Sequence, residues 1–520
     1  MPDFEENNHL LLQVLSSRDI FKRISSLALP MAASYTFSLE MWLLVFFLSR
    51  LNQDKEHAAS IALITNMINS LVVTGISPIL AMSIVSGRHI GELKDEENRG
   101  EDGVILQLKK EEIASTNYHG LAIASVMTPM IVLPLVFSSF ILADIFKQDL
   151  AVAKITQDFT RSYALAIPGL MLRICSEQTI FGFGKTKPTM LMGLANFSIG
   201  MGLTAVLGFG KLGAPKLKET GILIGYIAEA YLTAISYSAY IAAHPLFKNY
   251  PFFRPRNLMV HLHAFKKLLR LGGGILAGNI VEMLSMLVLG IFAGRIGVLE
   301  QSAFASTMQV VLFTFLLQAA FGLACCQEMS RQIGEKLYIN ASRIGRYSIP
   351  ITLVFVMPLP IILSIEPKLL TDVLGQDDQD VQEILPKLIP IMATSIALDA
   401  ARFGLLQQLR TLGDGNKATI VSSAGLVTGT FLSWCLGFRT NLGIYGVALG
   451  FVLGVLIATL GLFMRWQSRV KPAEIESYQD SIMNERQQTS HLLSNFSFFA
   501  STAMFRETSE QTSVINPQLL

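Results

Sequence analysis

From Gly272 through Gly294 this chain carries a single ionisable side chain, Glu282, in a run long enough to cross a bilayer. About 20 apolar residues in helical form span the hydrocarbon core, because only a helix or a closed barrel satisfies its own backbone there. Twelve such stretches recur along the sequence. Six fall at 26–49, 58–85, 118–141, 159–181, 189–209 and 221–243, and six at 268–293, 302–326, 347–365, 385–409, 417–437 and 442–464. Charged residues make up only 15% of the 520, against about 25% in soluble domains, so the chain reads as an all-α integral membrane protein. Its net charge of +2 supplies no field for nucleic acid. The four cysteines, Cys175, Cys325, Cys326 and Cys435, lie in apolar segments without metal or disulfide spacing, and read as packing residues.

Lys and Arg set the orientation. The connections after the second, sixth and eighth spans are basic, through Arg88, Lys94, Arg254, Lys266, Arg331 and Arg343 among others. Those on the opposite side are poor in them, and 366–384 carries Asp372, Asp377, Asp378 and Asp380. The positive-inside rule then places both termini in the cytoplasm of a multi-pass protein of the inner or plasma membrane. The acidic, polar opening segment resembles no signal peptide, so the first span is expected to direct insertion. The expected divisions are an N-terminal segment 1–25, a six-helix bundle 26–243, a basic linker 244–267, a second bundle 268–464 and a tail 465–520. The charged stretch 86–112 reads as a solvated excursion, and the tail as largely disordered, with room for a short interfacial helix.

The two halves echo each other. Arg88-His-Ile-Gly-Glu92 closes the second span and Arg331-Gln-Ile-Gly-Glu335 the eighth. Arg173 stands five residues before Gln178, Arg402 five before Gln407, and Gly-containing turns follow at 182–188 and 411–417. With six spans each, the repeats start on the same side and are parallel, an arrangement that puts a cavity between two bundles.

The turn GFGKTKP, the hairpin GFGKLGAPKLKETG, the second turn TLGDGNK and the final-span entry LGIYGVALG together resemble the multidrug and toxic compound extrusion (MATE) family over about 26–464. The resemblance implies a V-shaped pair of six-helix bundles exporting organic, cationic or drug-like compounds in exchange for Na⁺ or H⁺. It puts Glu282 at the acidic position of the seventh span and Asp399 at the tenth-span aspartate of Na⁺-coupled members. This sequence departs from the pattern in three places. Val45 stands where proton-coupled prokaryotic members have a first-span aspartate, Gly200 and Thr204 replace asparagines, and Ser395 replaces an aromatic residue.

The residues themselves weigh as follows. A carboxylate near a span's centre costs about 2.5–3.5 kcal/mol on insertion scales, so Glu282 is expected to serve as a cation or proton site, with Na⁺ held between it and Asp399. Arg402, three residues after Asp399, also fits a plain ion pair on one helix face. Glu40 registers one turn from the counterpart of Glu282, and Tyr35 and Trp42 beside it could stack on a cationic substrate. Arg173 and Glu177 are spaced for an i,i+4 pair. No ATP-binding or hydrolytic motif appears, so an ion gradient is the expected energy source and no cofactor is expected. The expected partners are small organic substrates and lipid, the expected state a monomer. Two other readings stay open: a lipid-linked saccharide flippase of the same superfamily, and a transport-inactive membrane scaffold.

Overall fold

In a computed structural model the described residues are 14–51, 55–146, 148–252, 262–370 and 379–481, with a few side chains among them left aside. They form helices throughout, and among them no strand occurs. Among the described residues ten helices are long and apolar enough to cross a membrane. The first and fourth spans complete the twelve from shorter pieces: α1 (Ser17–Ser34) with α2 (Thr36–Leu51), and α6 (Leu150–Tyr163) with α7 (Ile167–Gly182). The second span is likewise broken, into α3 (Lys55–Ile76) and α4 (Ala81–Arg99). The break falls at Ser77-Pro78, where proline has no N–H to continue the ladder. The rest of the first bundle is α5 (Gly103–Val136), α8 (Thr186–Phe209) and α9 (Glu219–Ala243), with the short α10 (Pro245–Lys248) beyond it.

The second bundle repeats the order with α11 (Leu262–Ile296), α12 (Val298–Gly334), α13 (Tyr338–Val356) with α14 (Pro358–Ile365), α15 (Gln379–Thr411), α16 (Gly415–Phe438) and α17 (Gly443–Arg469). Each bundle has its own apolar core, one around Ile68, Ile167 and Tyr226, the other around Leu289, Leu388 and Val447. Large apolar side chains such as Met130, Ile235, Val427 and Phe431 are exposed, as lipid-facing surfaces require.

The bundles meet at the basic end. There α4 and α12 cross at the two repeated motifs, and the contact is reciprocal. A Cβ on Gly91 would stand 2.2 Å from the carbonyl oxygen of Arg331, and one on Gly334 would stand 2.3 Å from that of Arg88. Only glycine allows backbones to approach so closely. Ion pairs mirror one another around the crossing: Arg88–Glu92 at 3.3 Å and Arg331–Glu335 at 3.2 Å, then Lys94–Glu335 at 3.0 Å and Lys336–Asp95 at 3.4 Å. Higher up, Asn279 on α11 donates to Ser77 at the α3–α4 break, at 2.7 Å. The basic end is shut. Outside the seal, a vestibule of about 1490 Å³ is lined by groups of both signs, Arg23, Lys109 and Glu335 among them.

The charged stretch differs from its sequence reading, and part of the tail is described. The charged segment 86–112 is nearly all helix, since α4 runs to Arg99 and α5 starts at Gly103. Its charges are neutralised by each other, with Lys109 3.1 Å from Glu92, so they do not force a loop. The tail continues as helix through 469 and again over 472–481 (α18), where Ile475 is buried in a cluster with Ile24 and Phe321. Gln479 accepts from Arg88, so this part of the tail lies across the closed end. The remainder, 482–520, falls outside the described residues.

Candidate coupling site

Two of the buried arginines, Arg173 and Arg402, stand at matching positions of the repeat, one in each bundle, and organise the polar interior. In the second bundle α15 presents Asp399 and Arg402 on adjacent turns, and α11 brings Glu282 across to them. Arg402 Nε donates to Asp399 Oδ1 at 2.6 Å, its Nη2 lies 3.0 Å from Glu282 Oε1, and Nη1 donates to Ser422 Oγ at 2.8 Å. The ion pair expected between Asp399 and Arg402 is present, and it is not the whole arrangement. Glu282, which has no base within a turn of its own helix, finds the same guanidinium from another.

In the first bundle Arg173 on α7 does the equivalent. Its Nη1 lies 3.1 Å from Glu40 Oε1 on α2 and 2.9 Å from Glu229 Oε1 on α9, whose carboxylate also accepts from Thr233 at 3.1 Å. The i,i+4 spacing with Glu177 misleads here. The guanidinium turns to Glu40 and Glu229, and Glu177 Oε1 is left buried with no hydrogen-bond partner among the described residues.

Exposure separates the two clusters. The Glu40 and Glu229 side chains are 4% and 2% exposed, Glu282 and Asp399 16% and 11%. The first cluster is sealed inside its bundle; the second keeps part of its carboxylate surface exposed. In direct contacts, two carboxylates of the second cluster share one cation, which leaves one negative charge to be met by a monovalent cation or a proton.

The other sequence candidates fall around these clusters. Tyr35 sits at the break between α1 and α2 with its hydroxyl buried and without a partner among the described residues. Ser395 is buried and donates to the carbonyl of Met392 at 2.7 Å, a helix back-bond. The side chain of Trp42 lies outside those described. Reasoning along single helices missed Ser422 and the roles of Glu229 and Arg173. A symmetric reading of the arginines in the two repeats would have paired them.

The family model described as MatE matches residues 275–435, the stretch that holds Glu282, Asp399 and Arg402. A probable multidrug resistance protein NorM from Synechococcus sp. is 25% identical over 311 residues, 59% of this chain and 63% of that protein. A second, from Synechocystis sp., is 25% identical over 58% of this chain and 66% of its own. The chain thus spans just under two thirds of these two relatives. Multidrug resistance protein NorM of Vibrio vulnificus is 21% identical over 70% of this chain and 82% of its own length. Among solved structures, a eukaryotic MATE transporter superposes with a TM-score of 0.74 at 15% identity, covering 89% of this chain and 99% of its own. An outward-facing MATE transporter of the MOP superfamily gives 0.74 at 16% identity, covering 87% and 96%. The family domain over 275–435, the relatives and the fold agree in their likeness to the MATE family.

Proposed function

We propose that this protein is a secondary antiporter that exports organic, cationic or drug-like compounds in exchange for Na⁺ or H⁺, with Glu282 and Asp399 as the coupling site. The observation that carries the reading is one guanidinium shared by two carboxylates that keep 16% and 11% of their side chains exposed. A coupling cation and a cationic substrate both neutralise the charge left over there, so each weakens the binding of the other. A ligand moves a conformational equilibrium only through different affinities for its two states, and this competition supplies the difference.

The shut basic end, taken as cytoplasmic, makes this the outward-facing state. An ion entering from outside binds at Glu282 and Asp399 and displaces the substrate. The pair of glycine motifs then parts to admit the next substrate from the cytoplasm. On this reading both termini are cytoplasmic and the protein resides in the cell membrane. Arg173 and Arg402, which a flippase would need free to cradle pyrophosphate, are each held by two carboxylates, and that favours the antiporter.

The test is efflux from proteoliposomes under a Na⁺ gradient alone and a pH gradient alone. Glu282→Gln and Asp399→Asn are each expected to cut gradient-driven transport by more than about tenfold, a modest demand on a charge-dependent step. The gradient that drives the wild type identifies the ion. Wild-type rates in both neutralised proteins would overturn the assignment. Loss of phenotype on truncation at Arg465, with Glu282→Gln silent, would favour the scaffold instead.

A further inference from the structure

Of the two arginines at the crossing of α4 and α12, one is covered and the other is not. The repeat makes Arg88 and Arg331 equivalent, each paired with the glutamate four residues on. Yet the Arg331 side chain is 38% exposed and that of Arg88 only 13%. The repeat does not contain the helix that makes the difference. α18 lies beyond the last span, and Gln479 near its end accepts from Arg88 Nη2. Gln479 is buried, and its Nε2 has no hydrogen-bond partner among the described residues. Burying an amide half-satisfied costs free energy, so the charge-assisted bond to Arg88 and the packing of the helix must hold it there.

α18 belongs to the second bundle. It follows α17 closely, and Trp466 and Val470 at that end pack with Leu405 and Leu409 of α15. Ile475 is buried in a cluster with Leu412, Ile344 and Phe321. Tyr478 covers the turn after α15, where its hydroxyl donates to the Gly413 carbonyl at 3.3 Å. A Cβ on Gly413 would run into the tyrosine ring, and its φ of +84° also suits glycine. The hold on the first bundle runs through Gln479 on Arg88, and through Ile20 and Ile24 of α1 in the cluster of Ile475. Arg88 stands at the closest approach of the bundles, since its carbonyl oxygen is the atom a Cβ on Gly334 would meet. When the crossing parts, Arg88 leaves with α4 while α18 stays with α12 and α15. The bond to Gln479 has to break.

We propose that α18 is a latch that holds the cytoplasmic end shut, with Ile475 as its seat and Gln479 as its catch on Arg88. This rests on the alternating-access reading and extends it: a helix outside the twelve spans sets how often the bundles part. Glu476 and Asp480 of α18 line the vestibule, so the latch is reached from the cytoplasm without passing the seal. Whatever lifts α18 raises the open population without touching Glu282 or Asp399.

The experiment uses the full chain in lipid nanodiscs, with spin labels at Asn98 and Ile339 on opposite walls of the vestibule. Gln479→Ala is expected to raise the open-to-closed ratio by about tenfold, the value of one charge-assisted bond. An open population of about 1% would then become about a tenth of the molecules. Ile475→Ser unseats the helix and is expected to move the ratio the same way by at least as much. On an Arg88→Gln background, Gln479→Ala is expected to add almost nothing, because the bond it removes is already gone. A full effect in that background overturns the proposal. So do unchanged distances in both Gln479→Ala and Ile475→Ser. If the wild type transports nothing under either gradient, the antiporter reading falls, and the distances still decide the latch.

Discussion

Arg173→Met is expected to be the most damaging single substitution in the first bundle, lowering stability by about 3–5 kcal/mol. Arg173 is 1% exposed and is the cation in contact with both Glu40 and Glu229, whose side chains are almost wholly enclosed. Methionine fills most of the volume, so the cost comes from the two carboxylates left without it and not from a cavity. Both would have to take up protons or draw water into the bundle. Thermal unfolding of the purified protein in detergent measures the loss. The triple substitution Arg173→Met, Glu40→Gln, Glu229→Gln is expected to recover most of it, because replacing a whole buried ionic cluster is far cheaper than breaking one. The equivalent change in the second bundle, Arg402→Met, should cost less. Glu282 and Asp399 keep 16% and 11% of their side chains exposed, so less of their charge is cut off from solvent. Equal losses at the two arginines would contradict the difference in burial on which the assignment of the second cluster as the ion site rests.

The same comparison shows which parts of the molecule were legible in the sequence. The spans were, since hydropathy over about 20 residues is a direct statement of what the bilayer requires. Glu282 and Asp399 were too, as costly charges in apolar runs. The Asp399–Arg402 pair could be read from i,i+3 spacing, but the Glu282–Arg402 contact joins two helices far apart in the chain, and no local rule reaches it. Spacing misled at Arg173. Glu177 is within a turn, yet the long side chain turns to two other carboxylates, which a helix-by-helix reading cannot weigh. The Arg-x-Ile-Gly-Glu motifs were visible as a repeat and not as a contact. Only the fold shows that the two copies are packed on each other, each glycine against the backbone of the other's arginine. The helical character of 86–112 was hidden because its charges, counted singly, look solvated, whereas Lys109 and Glu92 satisfy one another.

Gly91→Val, and separately Gly334→Val, should push the bundles apart at the basic end and bias the protein toward its inward-facing state. The atoms a new Cβ would meet are backbone: the Arg331 carbonyl oxygen at 2.2 Å for Gly91, and the Arg88 carbonyl oxygen at 2.3 Å for Gly334. Neither can step aside as a side-chain tip would. Overpacking of this kind costs about 1–3 kcal/mol, and the open state, in which the motifs are separated, does not bear that cost. A single substitution therefore moves the equilibrium by roughly 5- to 150-fold, short of the ten-thousandfold needed to invert a 1:99 population. Together the two should give less than the sum, since they disrupt one reciprocal contact. Spin labels at Asn98 and Ile339, which line the vestibule from opposite bundles, would report the change as a longer distance component in either variant. The direction also predicts function. On the antiporter reading, a protein held open to the cytoplasm would still load substrate but release it slowly outside, so transport should fall while binding of substrate from the cytoplasmic side is retained. An unchanged distance distribution with the same loss of transport would mean that the crossing of α4 and α12 holds the bundles together without moving. Alternation would then have to be sought elsewhere, at the contact of Asn279 with Ser77, where α11 carries Glu282 past the break in the second span.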